Sequence, residues 1–269
     1  MIWKASGFDM AIVCRQEHSG VWRSAKCVSL AAALAAGTPA LAQSPAATPD
    51  GALFDPPEGC SVFMTVQSRG CRVANHYRCD ADPAGDQWRA DFDQEGLFFV
   101  SHTDYETQWI ESYEFFPLVR QSLDPNPVDA ASYSELLSKG VDSFDFNLTK
   151  DDGSRSHVTG FDRLTGEKVT IDGIDLQETE FSFSETAEDG TVLRSAKGNE
   201  YIKADWRMFF SGPSEWMTEE GSLPVDGSPL QFIFPGEPGF RTTEPLFDCD
   251  AVLSRAEGAA SIQPVSVRK

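Results

Sequence analysis

Three cysteines, Cys60, Cys71 and Cys79, fall within one pair of alternating segments, and a fourth, Cys249, lies near the far end of the chain. Over Cys60–Val66, a period of two groups Cys60, Val62, Met64 and Val66 against Ser61, Phe63 and Thr65. Over Cys71–Cys79 it groups Cys71, Val73, Asn75, Tyr77 and Cys79, leaving Arg72, Ala74, His76 and Arg78 facing outward. With a turn at Gln67-Ser68-Arg69-Gly70, the two segments make a hairpin whose more apolar face carries all three cysteines. Extended backbone rises about 3.3 Å per residue, which sets Cys71 and Cys79 roughly 26 Å apart. A disulfide needs Cα atoms within about 7 Å, so those two do not pair. The hairpin favours Cys60–Cys79, with Cys71–Cys249 tying the end of the chain to its beginning. Cys60–Cys71 with Cys79–Cys249 is the alternative. No pair has the C-x-x-C spacing that zinc sites favour.

Disulfides persist in oxidising compartments, and the N-terminus carries an export signal. Arg23 and Lys26 precede a short apolar run, Val28–Gly37, and Ala40-Leu41-Ala42 offers a peptidase site before Gln43. Cys27 comes before the apolar run, so this is not a lipoprotein signal. The run is shorter than the roughly 18 residues that cross a bilayer, so no membrane span is expected in the mature chain. A leader of 42 residues is long for its class, and a true start at Val21 would leave 22. The competing reading is an Ala-rich helix of the fold. The expected location is periplasmic or secreted.

Removing the leader's four basic and two acidic residues leaves 18 Lys and Arg against 40 Asp and Glu, a net charge of −22 over 227 residues. That field repels phosphate backbones and anionic headgroups, so neither nucleic acid nor a membrane surface is an expected partner. A solvated acidic surface needs no partner at all.

Residues 43–57 read as a flexible lead-in, residues 58–254 as one β-rich domain and residues 255–269 as a loose tail. Within the domain, Gln87–Asp93, Leu97–His102 and Tyr105–Tyr113 alternate like strands, and Pro117 to Pro127 breaks the pattern. Ser132 and Glu135 form a capping-box signature, Leu136 and Leu137 an apolar face, and Gly140 a stop. Turns at Asp151-Asp152-Gly153, Leu164-Thr165-Gly166, Asp172-Gly173 and Asp189-Gly190 divide a meander over residues 141–210, and Leu230–Phe234 is a last strand. The expected fold is mainly β with minor α: a curved or partly closed antiparallel meander with one or two helices. That outline is similar to periplasmic carriers built on a curved half-barrel, a likeness that does not fix function.

No G-x-S-x-G, H-E-x-x-H, Walker or G-x-G-x-x-G pattern is present, and no catalytic residue is assigned. Asp80, Asp82, Asp86 and Asp91 occupy positions 1, 3, 7 and 12 of a calcium-type loop with Gly85 at position 6. Ala84 at position 5 and Pro83 oppose that reading, and a solvated turn explains the same residues. Tyr105, Trp109 and Tyr113, spaced by four, read as one strand face. They join Trp206 and Arg207, within the aromatic-rich Tyr201–Trp216, as candidate ligand contacts or as ordinary core. The expected role is a non-enzymatic carrier of a small apolar ligand, or a partner of an envelope protein. The alternative is a hydrolase or other enzyme using carboxylates or His102, with Asp104, Glu106 and Glu111 nearby, as acid and base.

Overall fold

The computed structural model describes residues 52–218 and 221–249. The leader, the Val21 start, the Ala42 cleavage point, most of the lead-in and the tail lie outside the described residues. No helix among the described residues is long and apolar enough to cross a membrane.

Among the described residues thirteen strands form one antiparallel sheet that does not close into a barrel. The hairpin is β1 (Cys60–Ser68) and β2 (Arg72–Cys79), followed by β3 (Gln87–Asp93), β4 (Gly96–Thr103), β5 (Trp109–Phe115) and β6 (Leu118–Leu123). Helix α1 (Tyr133–Lys139) leads into β7 (Val141–Lys150), β8 (Arg155–Ile171), β9 (Ile174–Ala187) and β10 (Val192–Lys203). A 3-10 turn, Ala204–Trp206, precedes β11 (Met208–Thr218), β12 (Gly221–Asp226) and β13 (Pro229–Ile233). Each strand from β1 to β12 pairs with the next, and β13 returns to the free side of β1.

Cys60 lies directly opposite Cys79 in the hairpin register and is bonded to it, and Cys71 is bonded to Cys249. Three expectations of the sequence are corrected. The first proline of the 117–127 stretch sits in a two-residue connection, Phe116-Pro117, so β6 follows where a break was read. Leu164-Thr165-Gly166 is not a turn but an irregularity inside the 17-residue β8, where the register passes from Leu164 to Lys168. The meander also continues past residue 210 through β11 and β12.

A bulge between Val62 and Met64 overturns the face assignment of β1. It turns Met64 and Val66 away from Cys60 and Val62 and places them beside His76 and Ala74. His76, expected to face outward, is 5% exposed and packs beside Phe63 and Phe210. Both faces of the hairpin are covered, which alternation alone cannot foresee. On the cysteine face, Val73, Tyr77, Ala90, Phe92 and Val100 pack with Phe54, and Asn75 Nδ2 donates to the Thr242 carbonyl at 2.9 Å. The end of the lead-in and the segment after β13 thereby seal that side.

The other face rolls inward. Arg194 on β10 reaches Glu114 on β5 at 3.8 Å, and Trp109 on β5 packs with Phe146, Leu148 and Val158 of β7 and β8. Met64, Val66 and Phe232 of β1 and β13 meet Leu176, Met208 and Phe210 of β9 and β11 in a shared core. One end of the sheet therefore overlaps the other. Helix α1 plugs the roll, with Tyr133 and Leu136 packed on Ile202, Leu164 and Phe209. Its predicted caps are in place: Ser132 Oγ accepts the Glu135 amide at 3.2 Å, and Gly140 is left-handed at φ 82°.

Gly160 lies at a close approach between strands. A Cβ there would come within 2.4 Å of the Ser182 carbonyl and 2.5 Å of the Phe144 ring. Gly160→Ala is expected to cost about 2–3 kcal/mol through overpacking, read as a lower urea midpoint at unchanged m-value.

Candidate functional site

Cross-strand pairing builds the inner wall of the roll residue by residue. Met64, His76, Arg89, Ser101, Ser112, Gln121 and Lys150 are successive partners from β1 to β7, so they share one face as a continuous row. Six of the seven are polar. Burial pushes the His76 imidazole well below its ordinary pKa, assisted by Arg89. Ser112 is 0% and Gln121 4% exposed, yet Ser112 Oγ, Gln121 Nε2 and the neighbouring Trp109 Nε1 have no hydrogen-bond partner among the described residues. Buried polar atoms are nearly always paired, so three orphans side by side mark a place where something else supplies the bonds.

The apolar part of the interior lies beside them: Leu123, Phe144, Phe146, Leu148 and Val158, with Phe99 against Trp109 at 5.9 Å between ring centroids. Across the roll, Glu185 accepts Ser156 Oγ at 2.6 Å and pairs with Arg194.

Deeper, next to the α1 plug, stand three carboxylates. Asp142 and Asp162 are partners across β7 and β8. Burial pushes Asp162 up to about 7 with Asp142 adding repulsion, and pushes Glu200 up to about 8 with Asp162 raising it further and Arg89 opposing. Asp142, raised to about 6 by burial, accepts the Ser132 amide at 2.8 Å. Glu200 and Asp162 feel the desolvation of an interior, yet both, like Phe144, Phe181 and Phe183, remain only half-buried by surface.

A second site lies on the opposite face. His102 Nε2 is 2.9 Å from Asp86 Oδ2, its ring stacks on Trp88 at 4.2 Å, and its Nδ1 lies 3.9 Å from Glu111 Oε1 without a hydrogen bond. Asp86, His102, Asp104, Tyr105 and Glu106 line a hollow of about 530 Å³. Burial raises the Asp104 carboxyl, although it accepts the amides of Glu106 and Gln108. Glu106 is tied to Ser134 and Arg207, and Glu111 to Tyr113 and Arg120. The four acid/base candidates thus cluster, but three of them already serve as structural anchors, and among the described residues no serine, threonine or cysteine lines the hollow.

The other sequence candidates separate. Tyr105 lies in the β4–β5 connection under Arg207, whose guanidinium sits 3.9 Å from the ring centroid. Trp109 faces the interior, whereas Tyr113 packs on the opposite face beside Val100. A bulge between His102 and Thr103 breaks the spacing that appeared to align them. Trp206 belongs to the aromatic core with Phe210, Phe232 and Phe234. Asp82 accepts Trp88 Nε1 at 2.7 Å, Asp86 holds His102 and Asp91 pairs with Arg89. Among the described residues no three His, Cys, Asp or Glu side chains converge as a metal group.

Another hollow, about 1040 Å³, is an open groove between β8–β12 and the β1–β2 turn, lined in part by Phe161, Pro213 and Val225. Its ionic groups satisfy one another, with Arg69 between Asp226 and Asp248 and Lys197 beside Glu215.

Sequence reasoning missed Ser112, Gln121, Asp162 and Glu200. Polar residues in alternating strands read as solvent-facing, and only the roll turns that face inward. Comparison with known proteins finds no matching family model, curated protein or solved structure.

Proposed function

We propose that this protein is a non-enzymatic, exported carrier that holds a small, largely apolar ligand inside the rolled sheet. The observation that carries the reading is an interior wall of aromatic and aliphatic side chains, some of them only partly buried, with buried polar atoms beside it left unpaired. Ligand sites have this composition, apolar walls with a few polar groups that fix orientation. Two disulfides support a periplasmic or secreted location.

Native mass spectrometry of protein purified from an oxidising compartment tests it. The expected result is a mass excess that disappears on denaturation and is absent from Phe146→Arg, whose charge would enter the apolar wall. A bare mass, with no uptake from a total lipid extract, would sink the carrier reading.

The His102–Asp86 pair in its hollow supports a rival acid/base enzyme. Under that reading His102→Gln abolishes a hydrolytic activity found in a substrate screen. Activity unchanged in that variant rejects it.

A further inference from the structure

We infer that the ligand of the interior presents a hydrogen-bond acceptor, a carboxylate, to Trp109 Nε1, Ser112 Oγ and Gln121 Nε2. The inference rests on the interior-carrier reading and names the chemistry of the ligand's polar end. Two of the three orphaned atoms are obligatory donors, since an indole nitrogen and an amide nitrogen have no lone pair to offer, and the hydroxyl adapts to either role. An alkyl or ammonium end would leave them unsatisfied, and an oxygen with several lone pairs would bond all three.

Charge points the same way. Lys150 is the partner of Gln121 across β6 and β7, placing a cation at the end of the row. On the facing wall Arg194 pairs closely with Glu185 and also reaches Glu114 of β5 at 3.8 Å, so it offsets one of the two carboxylate charges there. The side of the site away from Lys150 is hydrocarbon: Leu123, Phe146, Leu148 and Val158. A carboxylate at Gln121 with an alkyl chain on that wall satisfies both halves.

The experiment is calorimetric titration of delipidated protein with dodecanoate, methyl dodecanoate and dodecyltrimethylammonium, each below its micellar concentration. Dodecanoate is expected to bind at least about tenfold tighter than the ammonium, because charge-assisted bonds to carboxylate are the strong ones. The ester, which keeps acceptors but loses charge, falls between. The contrast is demanding, because a chain of net charge −20 attracts the cationic ligand non-specifically.

Gln121→Leu is expected to weaken dodecanoate and to erase its preference over the ammonium. Gln121→Glu, nearly isosteric, serves if the first variant does not fold, and it turns the preference toward the ammonium. Equal affinity for all three ligands, unaffected by either substitution, overturns the carboxylate assignment and leaves the carrier reading standing. No binding of any of them, together with ordered water bonded to the three atoms in a crystal structure, overturns both.

Discussion

Replacing Cys71 and Cys249 together by serine is expected to lower the unfolding free energy by about 5 kcal/mol in the chain-entropy account of disulfides. That bond closes 178 residues, whereas Cys60–Cys79 closes 19. Loop-closure entropy grows with the logarithm of length, so the short loop is expected to contribute only about 3 kcal/mol. The long bond also holds a packing arrangement that hydrogen bonds support at several points. Cys71 donates its amide to the Phe247 carbonyl at 2.9 Å, and Gln67 bonds to both Glu244 and Leu246. Equilibrium urea unfolding of the two double-serine variants checks the order. A larger loss from the Cys60–Cys79 pair would show that local register at the hairpin, and not closure of the long loop, dominates.

Stability is also expected to fall between pH 5 and pH 8 by several kcal/mol, most steeply above pH 6.5, because below that value the buried His76, held under its ordinary pKa, acts in the opposite sense. The cause is the interior trio, with Asp142 pushed up to about 6, Asp162 to about 7 and Glu200 to about 8. In the unfolded chain these groups ionise near pH 4, so between pH 4 and 8 the folded state binds more protons than the unfolded one. Their favourable contribution is complete below the unfolded values and is lost as pH rises through the folded ones. Glu200→Gln removes the largest part: the variant is expected to be more stable than the parent at pH 8 and little changed at pH 5. Thermal unfolding at both pH values measures this. A parent profile that rises from pH 5 to pH 8 would mean that the trio is solvated or paired with Arg89 more closely than its burial implies.

The hairpin, its disulfide and the helix were legible because each rests on local rules. Alternation over Cys60–Cys79 and the reach of extended backbone excluded Cys71–Cys79 and favoured the pairing that the structure shows. Ser132 and Gly140 bounded a helix whose caps need no distant partner. The Asp-Gly turns at 172–173 and 189–190 were found for the same reason: positive φ at Gly173 and Gly190 is a demand of the turn itself.

What alternation could not supply was which side of a strand is inside. Bulges at Val62/Met64 and His102/Thr103 each shift the side-chain period by one residue, and no local signal marks them. Rolling then covers both faces of β2, so that His76 is buried although its strand neighbours Arg72 and Arg78 are exposed. The candidate site depends on both effects. Ser112 and Gln121 are ordinary polar residues of alternating strands until the register aligns them and the roll closes over them. The sequence by itself determined the antiparallel meander, the covalent links and the acidic character of this protein, because spacing, chain reach and charge act locally or sum over the chain. Only the tertiary structure decided which polar row became the inner wall, because that depends on the bulges and on how far a twisted thirteen-stranded sheet curls before its ends meet.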